Sequence, residues 1–166
     1  MDALEARVSS LLSEIRRAAA GDFTGLGLVF YRPPLRLPSH PLGDPAMFRP
    51  HLPLAGDLRI AQVLAGISRT GSPWHDGFHL IDCSAFALTQ VCQFLSPPLA
   101  LLDPPEPDQY PVGARWRAAA AISRMPEVAL SALIGRQGNA AIFRQGLQVL
   151  QHERPGAKSD GDGEGV

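Results

Sequence analysis

Ser72-Pro73-Trp74-His75-Asp76-Gly77-Phe78-His79-Leu80-Ile81-Asp82 is the stretch on which the fold reading turns. Pro73 and the Asp76-Gly77 dipeptide are turn formers. Residues 78–81 form an apolar run of strand length. The segment therefore reads as a turn that enters a strand. A carboxylate at such a mouth suits Mg²⁺ or Mn²⁺ carried on a nucleotide phosphate, and the glycine beside it admits close backbone approach by a ligand. His75 and His79 lie roughly 13 Å apart along an extended chain, too far to share one ion.

On the N-terminal side, residues 2–20 carry Leu4, Val8, Leu11, Leu12 and Ile15 at the spacing of one helical face, with Asp2 and Glu5 as a capping pair. The nearly continuous apolar run 26–31 suits a buried central strand. Seven prolines between positions 33 and 53 forbid a helix there and most ladder pairing. That stretch reads as a surface loop with at most a short edge segment, dispensable to the core. Asp57 is expected to cap a helix over 58–68, with Leu58, Ala61, Leu64 and Ile67 as its apolar stripe.

On the C-terminal side, 86–95 reads as a strand, and a second Pro-rich loop runs over 97–111. Residues 113–124 read as an alanine-dense helix that can pack closely on a sheet. Strands follow at 129–134 and 140–144 around a Gly135–Gly138 turn, with 147–150 as a further candidate. Arg115 and Arg117 fall in the first turn of the alanine-dense helix. Arginines beside unpaired helix N–H groups make an anion site suited to a triphosphate. A carboxylate–metal element facing such a helix start is the minimum for phosphoryl-transfer chemistry.

The composition excludes several classes. A net charge of −1 gives no basic excess for a nucleic-acid backbone. No apolar run approaches membrane-span length, and the charged N-terminus does not read as a signal peptide, so a cytoplasmic protein is expected. Cys83 and Cys92 read as small buried hydrophobes, without a disulfide framework or metal spacing. No Walker-type phosphate loop and no nucleophile elbow is present. Trp74 reads as a half-buried anchor or a base-stacking ring.

His75-Asp76-Gly77-Phe78 and Gly113-Ala114-Arg115-Trp116-Arg117-Ala118-Ala119, in this order, resemble the two motifs of the diadenylate cyclase domain family. That family, which includes the N-terminal cyclase domain of the DNA-integrity scanning protein, joins two ATP molecules into cyclic di-AMP. Its motifs are His-Asp-Gly-Ala at a strand start and Gly-Thr-Arg-His-Arg-Ala-Ala at a helix start. The resemblance spans about residues 2–150. It implies an α/β fold and a single domain over 1–152 with a central mixed sheet flanked by helices. It also implies that Asp76 holds Mg²⁺ or Mn²⁺ and serves catalysis if activity is kept, with Gly77, Phe78, Arg115, Trp116 and Arg117 binding the nucleotide. The tail over 153–166, rich in Gly and Asp with almost no apolar residue, is expected to be disordered on its composition.

The departures from the family matter as much. Ala114 replaces the family threonine, Trp116 the family histidine and Phe78 the family alanine. The acidic residues that the family carries before its last hairpin turn have no counterpart in Leu133-Ile134-Gly135-Arg136. The expected function is a nucleotide-binding, sensor-like module for ATP or a cyclic dinucleotide, catalytically weak or inactive, whose output passes through an effector protein. An active cyclase working face to face as a homo-oligomer is the first alternative, and an interaction module that kept only the fold is the second. No nucleic acid and no membrane partner is expected.

Overall fold

Helix α1, Ala3–Ala18, begins where Asp2 and Glu5 cap each other. The Asp2 carboxylate accepts from the Glu5 amide at 2.9 Å, and Glu5 accepts from the Asp2 amide at 3.0 Å. Val8, Leu11, Leu12 and Ile15 are its buried face, each contributing about 1.5–3 kcal/mol by leaving water. The computed structural model describes residues 1–108 and 110–152. The expected disorder of 153–166 lies outside the described residues.

Among the described residues eight strands form one sheet: β1 Leu26–Tyr31, β2 Ser39–Pro41, β3 Leu54–Ala55, β4 Phe78–Asp82, β5 Ala87–Leu95, β6 Val128–Ile134, β7 Ala140–Arg144 and β8 Leu147–His152. Their order is β2-β5-β4-β1-β6-β7-β8, with β3 also paired to β5. The β1–β4 pair is parallel and the others are antiparallel. The sheet is therefore mixed, as expected. All six residues of β1 are buried, because it is a middle strand covered on both faces. Leu26, Leu28 and Phe30 point into a core shared with α1 and α2 (Asp57–Ile67). Val29 and Tyr31 point into a second core under α3 (Ala114–Ile122). The architecture is a single α/β unit with helices on both faces of the sheet.

Several sequence expectations shift. Gly56, not Asp57, is the cap of α2, and no side chain bonds the cap. The Asp57 carboxylate instead takes two bonds from Arg7 of α1, at 3.0 and 2.8 Å. Leu58 is 63 % exposed, so the apolar stripe of α2 rests on Ile60, Ala61, Leu64 and Ala65. The Pro-rich stretch 33–53 is not dispensable to the core. It contributes β2 and, against the expectation of no helix, a short 3-10 helix at Pro45–Met47, where a proline in the first turn loses no bond. Its Leu37 and Phe48 are buried in the two cores. Strand β5 starts at Ala87, because Phe86 has φ +47°, outside the extended region. Among the described residues no helix is long and apolar enough to cross a membrane.

Candidate functional site

The turn before β4 is fixed by short-range bonds. His75 Nδ1 donates to Ser72 O at 2.5 Å, and the Trp74 amide donates to Ser72 Oγ at 3.2 Å. The Gly77 amide donates to Asp76 Oδ1 at 2.9 Å. Gly77 has φ +73°, and a Cβ there would stand 2.5 Å from Gln93 O. Both facts require glycine. The turn thus holds the Asp76 carboxylate outward, with its side chain 70 % exposed.

Helix α3 brings the second half. Ala119, Ala121 and Ile122 are buried under it, and Ser131 Oγ of β6 donates to Ala119 O at 2.6 Å. The small side chains let the helix lie close to the sheet. Its Gly113 cap makes no side-chain bond, so N–H groups of the first turn keep their capacity to bind an anion. Arg115 reaches from that turn to Asp76, with Nη2 3.4 Å from Oδ1. Two residues predicted on separate segments thus meet in space.

The other predicted site residues are engaged elsewhere. At 100° per residue, Arg115 and Arg117 stand about 200° apart around the helix. Arg117 accordingly turns to the loop after β5 and donates to Asp103 O. Arg124, which the sequence reading left without a role, grips the same loop through Asp103 Oδ1 and Leu101 O, both at 2.8 Å. The Arg124 guanidinium holds the Asp103 carboxyl below the usual carboxylate range. Trp116 is half-buried and packs edge-on against Phe143 with ring centroids 5.0 Å apart. Phe78 is 6 % exposed, and its ring fills the space that a Cβ on Gly27 would need, at 2.6 Å. Trp74 packs edge-on against Phe48 at 5.3 Å, in keeping with an anchor.

His79, two residues beyond Gly77, is wholly buried. Its Nδ1 accepts from the Cys92 amide at 3.2 Å, and its Nε2 has no partner. Burial, helped by the Arg115 charge, lowers its pKa to about 3. It is therefore a neutral ring beneath the site. Its place in a strand buried at each of its first four residues accounts for the burial, but its ionisation depends on neighbours that the sequence does not reveal.

Among the described residues no group of three His, Cys, Asp or Glu is arranged to hold a metal. One carboxylate, Asp76, fits an ion that arrives with a nucleotide and keeps phosphate and water ligands, as Mg²⁺ does. It does not fit a resident metal.

No protein family model matches the chain, and no curated protein matches it. Solved structures do. A hypothetical membrane spanning protein from Bacillus cereus superposes with a TM-score of 0.58 at 17 % identity, over 87 % of this chain and 61 % of that one. The chain thus spans about three fifths of that protein. DacA from Staphylococcus aureus, in a double cysteine variant, superposes with a TM-score of 0.54 at 17 % identity, over 89 % of this chain and 86 % of that one. The fold is DacA-like, in agreement with the α/β architecture expected from the two motifs.

Proposed function

We propose that this chain is a sensor-like module on a diadenylate-cyclase-like fold that binds an adenine nucleotide or a cyclic dinucleotide and turns ATP over slowly or not at all. The observation that carries the reading is the 3.4 Å approach of Arg115 to Asp76. It joins an exposed carboxylate at a glycine turn to a guanidinium on a helix start. In this reading Arg115 and the first-turn amides of α3 take the phosphate. Asp76 meets the Mg²⁺ or Mn²⁺ that the nucleotide carries, and Gly77 lets the ligand approach. Arg117, turned to Asp103, and Trp116 and Phe78, packed on Phe143 and Gly27, contribute less to the ligand than Arg115 does.

Weak turnover follows from what the helix start lacks. Ala114 has no hydroxyl, and the Trp116 ring is committed to Phe143. Binding tolerates the loss of a contact at about 1–3 kcal/mol. Catalysis tolerates it poorly, because transition-state contacts set the rate.

The test is titration with ATP and Mn²⁺ by calorimetry, with product analysis by mass spectrometry. Arg115→Ala should weaken binding at least tenfold, since a charge-assisted bond is worth about 1.5–3 kcal/mol. Arg117→Ala should weaken it less, because Asp103 holds that side chain. Equal binding by wild type and Arg115→Ala would move the site elsewhere. Rapid synthesis of a cyclic dinucleotide, abolished by Asp76→Asn, would replace this reading with that of an active cyclase. If neither ATP nor cyclic di-AMP raises the melting temperature, an interaction module remains.

A further inference from the structure

On the α1 side of the sheet, away from Asp76 and Arg115, the last turn of α1 and the β6–β7 turn enclose an open cleft of about 930 Å³. Its wall carries Arg16 and Arg17 from the helix and Arg136 with Gln137 from the turn. Among the described residues no carboxylate lines it. Glu14 bonds to Arg17 at 2.9 Å but is not part of the lining. Gly138, at φ +86°, turns the β6–β7 hairpin back beside Arg16, whose Nε lies within van der Waals reach of it. Phe23, 6 % exposed, supplies an apolar patch in the same cleft.

Arg16 and Arg17 complement the carbonyl end of α1, which explains arginines at those two positions. It does not explain Arg136, which belongs to a hairpin turn and is exposed beside them. Three arginines from two elements line one cavity whose described lining holds no carboxylate, and guanidinium forks are the side chains suited to phosphate oxygens. We propose that this cleft binds a small phosphate-bearing anion, at a site separate from the Asp76–Arg115 pair.

The experiment uses inorganic pyrophosphate as the probe, in EDTA and at fixed ionic strength, measured by calorimetry on the full chain. Wild type should bind. Arg136→Ala should bind at least tenfold more weakly, and Arg136→Lys should fall between the two, having the charge without the fork. Arg136 is exposed, so circular dichroism should report an unchanged fold. Arg115→Ala should keep the Arg136-dependent part of pyrophosphate binding, which separates this site from the proposed nucleotide site. A second arm sediments the protein with phosphatidic acid vesicles. Sedimentation that depends on Arg136, without heat from pyrophosphate, upholds the site and assigns the phosphate to a lipid headgroup. The proposal falls if neither probe binds, if Arg136→Ala binds as wild type does, or if Arg115→Ala alone abolishes binding.

Discussion

Replacing His79 with Asn should remove a defined part of the acid sensitivity of this fold. The histidine is buried and neutral, with a pKa lowered to about 3 by desolvation and by the Arg115 charge. In the unfolded chain the ring titrates near 6.5. As pH falls below that value the unfolded state takes up a proton that the folded state refuses, so stability drops. At pH 5 the unfolded ring is protonated over neutral by roughly thirty to one. The native state therefore loses about 2 kcal/mol between pH 7 and pH 5 from this residue alone. The carboxylates held below their usual range, Asp2, Asp22, Asp57, Asp82 and Asp103, act in another window. Their stabilisation is present above the unfolded value near 4 and is lost at lower pH, so they are silent between 7 and 5. Asn keeps an acceptor for the Cys92 amide and does not titrate. Urea unfolding at both pH values should show wild type losing about 2 kcal/mol more than His79→Asn, or about 4–8 °C in melting temperature for a chain of this length. Equal losses in the two proteins would show that the buried ring is not the group that opposes protonation.

Gly77→Ala should destabilise the fold by about 2–4 kcal/mol, because positive φ and a contact with Gln93 O act together; a loss under 1 kcal/mol in urea unfolding would contradict the turn geometry. Gly27→Ala should cost about 1–3 kcal/mol alone and clearly less in a Phe78→Leu background, since the Phe78 ring occupies the glycine's space. Additive losses in that double-mutant cycle would refute the packing. Asp103→Ala should remove the ion pair with Arg124 and leave that arginine its bond to Leu101 O, and limited proteolysis between residues 97 and 111 should speed up while the melting curve stays nearly fixed. Unchanged cleavage would mean that the loop is held by other contacts.

Local signals in the sequence were strong wherever one residue type has one physical use. The capping pair Asp2–Glu5, the apolar face of α1 and the Asp-Gly turn all appear as read. The meeting of Asp76 with Arg115 was foreseen from two separate motifs. What escaped was decided by long-range partners. Asp57 has the chemistry of a cap, but Arg7, fifty positions away, claims it. Proline density in 33–53 excludes an α-helix but not the short 3-10 helix Pro45–Met47, and it says nothing of Phe48, which packs against Trp74 in the core. Arg115 and Arg117 look equivalent in a motif, but helical rotation sends them to different neighbours. The arginine cleft joins α1 to a turn more than a hundred residues later, so no local window contains it.

Strand β1 sits between β4 and β6, and this placement constrains the order of events as the chain leaves the ribosome. Its partner at Phe78 emerges about fifty residues after Gly27, whereas its partner at Leu133 emerges more than a hundred residues after it. Helices α1 and α2 with β1, β4 and β5 can assemble one side early. Until β6 arrives, β1 has an open row of amides and carbonyls on its other side. β6 brings β7 and β8 with it as a tightly connected meander. The nascent protein therefore passes through a stage in which its future centre is still a margin, and a chaperone that shields strands would find β1 the part most in need of cover.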